Sequence, residues 1–255
     1  MTVVGTVVLQ DDDQCPVVLV DGTVRRKSRW WTSSVHHLLS HLASGGFAQS
    51  PRPLGFDDAG REMLSFIEGD CGREAGKRVA HPAALANLAQ LLRRFHDAVR
   101  DYVPPPNADW ALPAAADAPP TGICHGDFAP WNVVWSGDDV VGILDFDLAH
   151  PGPGLHDVAY ALAYSVPFRD DADTRRMLGV DEMPDRRQRV RVFAEAYGTG
   201  TDGLVEQVVA RQWKYARDVE VLRNRGLIAR WTSPESIERN YQIATWVAEH
   251  QHLFR

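Results

Sequence analysis

Two short apolar runs, NVVW at 132–135 and VVGIL at 140–144, flank Ser136-Gly137-Asp138-Asp139 in a stretch whose surroundings read as helix. Short runs rich in β-branched residues and separated by turn residues predict a β-hairpin, here with a four-residue turn. A hairpin brings the residues before its first strand and after its second together at its open end. One side of that end carries His125-Gly126-Asp127-Phe128-Ala129-Pro130-Trp131-Asn132, and the other carries Asp145-Phe146-Asp147. Asp127 is expected in the loop before the hairpin. Asn132 is expected to open the first strand and Asp145 to end the second, with Asp147 on the same strand face as Asp145.

The rest of the chain must fold around that ribbon. Residues 3–9, 17–20 and 23–26 are rich in Val and Thr, and Asp21-Gly22 is a tight-turn signal, so an antiparallel N-terminal sheet is expected. Thr32, Ser33 or Ser34 can cap a helix running to about residue 43, with Val35, Leu38, Leu39 and Leu42 on one face and Gly45-Gly46 as its stop. Residues 51–60 are turn-rich, 62–67 read as a strand, and Glu68-Gly69 breaks it. From Pro82 to about residue 100, Leu85, Leu88, Leu91, Leu92 and Phe95 recur at helical spacing. A Pro- and Ala-rich irregular connection spans 103–120, and further helices are expected at about 156–166, 186–197, 203–225 and 234–253. The sum is an α+β chain of two unequal lobes: a small N-terminal antiparallel β lobe over 1–68 and a larger, mainly helical lobe over 69–255.

Composition excludes several classes of function. The 255 residues carry a formal charge of −7, so no broad basic surface suits a phosphate backbone and no nucleic-acid partner is expected. Cys15, Cys71 and Cys124 include no CxxC pair, which argues against a disulfide framework or a zinc ribbon and for a reducing compartment. Residues 1–10 have no basic leader, and no apolar run approaches the roughly 20 residues of a membrane span. A cytoplasmic location and no membrane partner are therefore expected. Oligomeric state has no signature in the sequence.

The cluster at the open end of the hairpin carries the chemistry. One or two carboxylates and an amide oxygen suit Mg²⁺, which also takes phosphate oxygens and water. A further carboxylate nearby can accept a proton from a hydroxyl, and that pairing is what phosphoryl transfer to an alcohol needs. HGDFAPWN with an Asp after the hairpin resembles the catalytic and metal-binding loops of the protein-kinase-like fold, in the form found in the aminoglycoside phosphotransferase and choline kinase-like family. Gly154-Leu155-His156-Asp157-Val158-Ala159 is similar to that family's next helix start. The resemblance is specific over about 121–165 and loose elsewhere. It implies Asp127 as catalytic base, Asn132 and Asp145 as Mg²⁺ ligands, His125 as a loop brace, and Asp157 as the acceptor of catalytic-loop backbone hydrogen bonds. Asp147 either assists the metal or accepts a backbone hydrogen bond. Ser65, Phe66 and Ile67, running to Glu68, would be the hinge whose backbone receives the purine of ATP or GTP. The implied reaction moves a γ-phosphate to a hydroxyl of an aminoglycoside or related antibiotic, or of a housekeeping metabolite of choline, sugar or homoserine type.

Three departures stand out. The connection from Gln10 to Pro16 holds Asp11, Asp12 and Asp13 and no glycine, where the family offers a Gly-rich loop. Either it stays away from the nucleotide, or nucleotide binding is weak or altered. The strand position for a phosphate-binding Lys offers Arg25, Arg26 or Lys27, with Arg26 on one face and favoured over Arg25, which shares the other face with Lys27. The first helix reads Val35-His36-His37 where a Glu should pair with that Lys, so the ion pair is missing or replaced. These departures motivate a rival reading, a catalytically weak or inactive kinase-like binding protein. His37 and His41 are read as a polar helix face, not a metal site.

Overall fold

The computed structural model describes residues 5–10, 16–114 and 122–255. The acidic connection at 11–15, with Cys15, and the end of the Pro/Ala-rich stretch at 115–121 lie outside the described residues. Strands β1 (Thr6–Gln10), β2 (Val17–Val20) and β3 (Thr23–Arg26) form an antiparallel meander. Its second turn is Asp21-Gly22, both at positive φ (50° and 74°), the left-handed pair that a two-residue hairpin of matching twist requires. Helix α1 (Thr32–Ser44) follows, burying Val35, Leu38, Leu39 and Leu42 as the spacing predicts, and Gly45 caps it.

The turn-rich stretch contains a strand that was not expected, β4 (Pro53–Phe56), which pairs with β5 (Glu62–Ser65). Pro53 and Gly55 disguise it, because both residues disfavour strand interiors. β5 also pairs with β3, placing Arg26 directly opposite Glu62. The five strands run in the order β1-β2-β3-β5-β4. β5 ends at Ser65, and the chain then crosses to the hairpin through a bridge between Asp70 and Trp135.

A short helix α2 (Gly72–Gly76) leads to α3 (Pro82–Ala98), on which Leu85, Leu88, Leu91, Leu92 and Phe95 are all fully buried. β6 (Ile123–Cys124) precedes the hairpin β7 (Val133–Ser136) and β8 (Asp139–Ile143). Ser136 pairs with Asp139, so the turn is two residues, Gly137-Asp138, and not four. Asn132 stands just before β7, and its carbonyl accepts from Leu144 N at 2.7 Å, closing the open end. Asp145 lies beyond β8 and does not end that strand. A tight turn at 146–148 carries Asp147, so the two acids do not share a strand face.

β9 (His150–Pro151) pairs back onto β6. The remaining helices are α4 (Leu155–Ser165), α5 (Asp171–Leu178), α6 (Arg186–Tyr197), α7 (Leu204–Asn224) and α8 (Pro234–Glu249). α5 was not expected, and α8 stops short of 253, where a separate turn follows. One apolar cluster joins α1, α3, the hairpin and the C-terminal helices through Trp31, Leu42, Phe95, Trp135, Phe146 and Phe193. No helix among the described residues is long and apolar enough to cross a membrane.

Candidate active site

The loop between β6 and β7 is shaped by one buried carboxylate. Asp157, on the first turn of α4 and 1% exposed, accepts from His125 N at 2.6 Å and from Gly126 N at 2.9 Å. His96 on α3 also donates to it, at 3.2 Å. Burial would raise its pKa, but the His96 ring and the loop N–H groups outweigh that and hold the carboxyl down at about 2. Gly126 has φ 83°, and a Cβ there would fall 2.1 Å from Leu148 O, so the loop can pass this point only as glycine. His125 Nε2 donates to Leu144 O at 2.9 Å, and its Nδ1 accepts from Asp127 N at 3.3 Å. The ring is thus neutral with its proton on Nε2, and burial pushes its pKa down to about 4.

Asp127 is presented by this scaffold. Its Oδ2 accepts from Asn132 Nδ2 at 2.8 Å and its Oδ1 from Tyr160 OH at 2.5 Å. Tyr160 sits one turn after Asp157 on α4, beneath the Arg211 guanidinium at 4.9 Å. Arg211 also donates to Gly126 O at 3.1 Å. Burial, then the nearby Asp145 charge, push the Asp127 carboxyl up to about 7 in spite of its two donors. Asn132 directs its Nδ2 to Asp127 O and Oδ2, which leaves Oδ1 as its donor toward a cation. Asp145 adopts a left-handed backbone, φ 60° and ψ 68°, with its side chain 47% exposed. Lost hydration and the Asp147 charge both raise its pKa. An amide oxygen beside a carboxylate with a neighbouring acid is a hard-oxygen donor set that fits Mg²⁺.

Arg26 reaches this acidic group from the sheet. Its guanidinium lies 2.6 Å from Asp147 Oδ1, 3.5 Å from Asp145 Oδ1 and, through Nε, 2.8 Å from Glu62 Oε1. Burial works against its charge, but Asp147, Glu62 and Asp145 together keep it protonated. Glu62 is 1% exposed and also accepts from His36 Nε2 of α1 at 3.1 Å. The carboxylate missing from the first helix is therefore supplied by β5, and the helix contributes a histidine to the same group. Arg25 turns instead to Asp57, at 3.6 Å.

The expected hinge begins at the C-terminal end of β5, an interior strand of the sheet. Ser65 is still within it, since Ser65 N donates to Arg52 O and Ser65 Oγ accepts from Arg52 N. Phe66 is exposed, and the space above Gly142 is filled by Ile67. At the Pro130-Trp131 end of the loop between β6 and β7, a cavity of about 240 Å³ is lined by Trp131, Tyr164, Arg73, Lys77 and Arg176, with Glu74 as its acid. His37 and His41 bond to Tyr102 OH and Ala98 O, as a plain helix face would.

The structure thus gathers Asp127, Asn132, Asp145, Asp147 and Arg26 at one cleft, with His125 and Asp157 behind the loop. Five participants lay outside the expected set: Glu62, His36, His96, Tyr160 and Arg211. Only Tyr160 left a local trace, being one helical turn from Asp157. Such a cleft can bind a phosphate-bound cation between Asn132 and Asp145 and present Asp127 to a hydroxyl.

Known proteins resemble this chain in sequence and in fold. Residues 106–193 match the model of the phosphotransferase enzyme family. The chain is 34% identical over 201 residues to the trifolitoxin immunity protein of Rhizobium leguminosarum bv. trifolii, covering 74% of this chain and 73% of that one. Its fold is similar to the Plasmodium vivax ethanolamine kinase (TM-score 0.62, 13% identity, 94% of this chain and 82% of that one). It is also similar to the GDP complex of an aminoglycoside 2'-phosphotransferase-IIIa (TM-score 0.56, 14% identity, 96% and 93%). The architecture is the protein-kinase-like fold of these enzymes.

Proposed function

This chain belongs to the phosphotransferase enzyme family, and from that premise we propose that it transfers the γ-phosphoryl group of ATP or GTP to a hydroxyl of a small polar antibiotic or toxin. The observation that carries the reading is Asp127, held by Tyr160 and Asn132 in a cleft shared with Asp145. Asn132 Oδ1 and the Asp145 carboxylate would hold Mg²⁺, which when bound neutralises charge on the phosphates. Asp127 accepts the hydrogen bond of the acceptor hydroxyl and takes its proton, a task suited to a pKa near the working pH. Tyr160 and Asn132 fix the carboxylate so that no reorientation is needed at the moment of transfer. Arg26, braced by Glu62 and His36, offers its outer nitrogens to phosphate oxygens once nucleotide competes with Asp145 and Asp147. Backbone groups of Phe66 and Ile67 receive the purine, and the lobe boundary is assigned to residue 68.

The relative's role in toxin immunity supports a defensive acceptor. The Trp131 cavity narrows the class. Lys77 is paired with Glu74 and Arg176 with Asp173, so Arg73, stacked over the Trp131 ring at 5.1 Å, carries the cationic character of the wall, which favours a neutral or anionic hydroxyl compound over a polycationic aminoglycoside.

The test is phosphorylated product, followed by ³¹P NMR and mass, over a panel of uncharged, anionic and aminoglycoside antibiotics with ATP and GTP. Turnover should fall by at least about 100-fold in Asp127→Asn. Full activity in that variant, or no product with any hydroxyl acceptor, overturns the proposal.

A further inference from the structure

A second cluster of ligating atoms lies behind the catalytic loop, built from residues that the phosphoryl-transfer reading does not use. Antiparallel pairing of β6 with β9 sets Cys124 opposite His150. The turn at 151–154 then returns the chain to α4, whose first turn carries His156. Cys124 Sγ and one ring nitrogen from each of His150 and His156 lie within 4.8 Å of one another. Cys124 and His150 are completely enclosed, at 0% and 1% exposure.

The orientation of His150 is decisive. A carbonyl oxygen can only accept, so the 2.9 Å contact to Leu148 O puts the ring proton on Nδ1. Nε2 then carries a bare lone pair, and it has no hydrogen-bond partner among the described residues. A buried acceptor left unpaired carries a desolvation penalty, whereas an imidazole tied through Nδ1–H to a backbone carbonyl is the usual second-sphere arrangement of a metal-bound histidine. Gly152 keeps the space open, since a Cβ there would stand 3.0 Å from Cys124 Sγ and 3.6 Å from His150 Nε2.

We propose that Cys124, His150 and His156 bind a zinc ion. One thiolate and two imidazoles form a borderline-soft set that suits tetrahedral Zn²⁺ and not the oxygen-seeking cation of the active site. The Cys124 S–H hydrogen now points to Pro153 O at 3.2 Å. Zinc binding replaces that S–H bond by a sulfur–zinc bond and releases the proton to solvent, with no change of oxidation state. The fourth position falls to water or to the Pro153 carbonyl. The ion would tie Cys124, which precedes His125, to His156, which precedes Asp157. It would therefore fasten the catalytic loop to its buried carboxylate anchor at a second point.

The experiment is metal analysis of the full chain, purified without chelator from zinc-supplemented cells. About one zinc per chain is expected, and Cys124→Ser and His150→Gln should each lower it at least about tenfold. Cys71→Ser, which removes an exposed thiol elsewhere, should leave it unchanged. Cobalt substitution of the unmutated protein should give a thiolate-to-cobalt charge-transfer band and the intense visible bands of tetrahedral Co²⁺. That arm decides the matter even where a variant fails to fold. Background zinc together with no thiolate–cobalt band overturns the proposal, as does full zinc content in folded Cys124→Ser. Neither readout depends on phosphoryl transfer.

Discussion

Asp157→Ala should be among the most damaging single substitutions in this protein. The wild-type carboxylate is buried, takes the N–H groups of His125 and Gly126 and the His96 ring, and has its pKa lowered from 3.8 to about 2. A shift of that size corresponds to about 2.4 kcal/mol of stability. Alanine leaves two buried N–H groups unpaired, at ~1–3 kcal/mol each. Those N–H bonds are part of what lowers the pKa, so the two figures overlap and do not add, and a loss of about 2–6 kcal/mol is expected. Asp157→Asn keeps one accepting oxygen and should lose about half as much. The sign with pH follows from the lowered pKa. The contribution is fully present above the unfolded value and fades as pH falls toward 2, with about half gone at pH 3. Urea unfolding followed by tryptophan fluorescence at pH 7 and pH 3 measures it. The gap between wild type and Asp157→Ala should narrow by about 1 kcal/mol at the lower pH. A loss under about 1 kcal/mol at pH 7, or a gap that does not change with pH, would refute the reasoning.

Asp127 behaves in the opposite sense. With its pKa raised to about 7, it contributes stability at low pH that is lost as pH rises from about 4 through 7. Asp127→Asn should therefore melt higher than wild type at pH 8, by about 1–3 kcal/mol in stability, while turnover collapses; a lower Tm at pH 8 contradicts this. Glu62→Gln leaves Arg26 and His36 without their shared buried anion and should cost about 3 kcal/mol and raise KM for nucleotide more than for acceptor, read by thermal melts and steady-state kinetics. Gly126→Ala drives a Cβ into Leu148 O and should cost about 2–4 kcal/mol in urea unfolding, with a loss in kcat.

What could be read from the sequence was what is local. The apolar spacing of Leu85 through Phe95 and the Asp21-Gly22 turn each depend on neighbours a few residues away, and both appear where expected. Helix α5 escaped because its eight residues are mostly polar, yet its Asp170 cap, accepting from Asp173 N, stood in the sequence. β4 escaped because Pro53 and Gly55 are recruited by β5 and not by their own preference. In the cleft, HGDFAPWN placed Asp127 and Asn132 because their spacing is short. Glu62 depended on the register of two strands 36 residues apart in sequence, Arg26 opposite Glu62. Arg211 reaches Gly126 O across 85 residues, and no pattern in a single sequence encodes such a pairing. The cysteine–histidine cluster was hidden for the same reason: cysteine spacing finds zinc sites closed by one turn, not those assembled from two strands and a helix.

The left-handed backbone of Asp145 sorts its replacements before any chemistry begins. Aspartate, asparagine and glycine visit that region with little penalty, and longer or branched side chains do not. A library at this codon should accordingly split into two kinds of inert protein. Asparagine and glycine yield well-folded molecules lacking one charge, whereas glutamate, the nearest acid in kind, damages the chain path itself. The substitution that looks mildest on paper is one the backbone tolerates poorly.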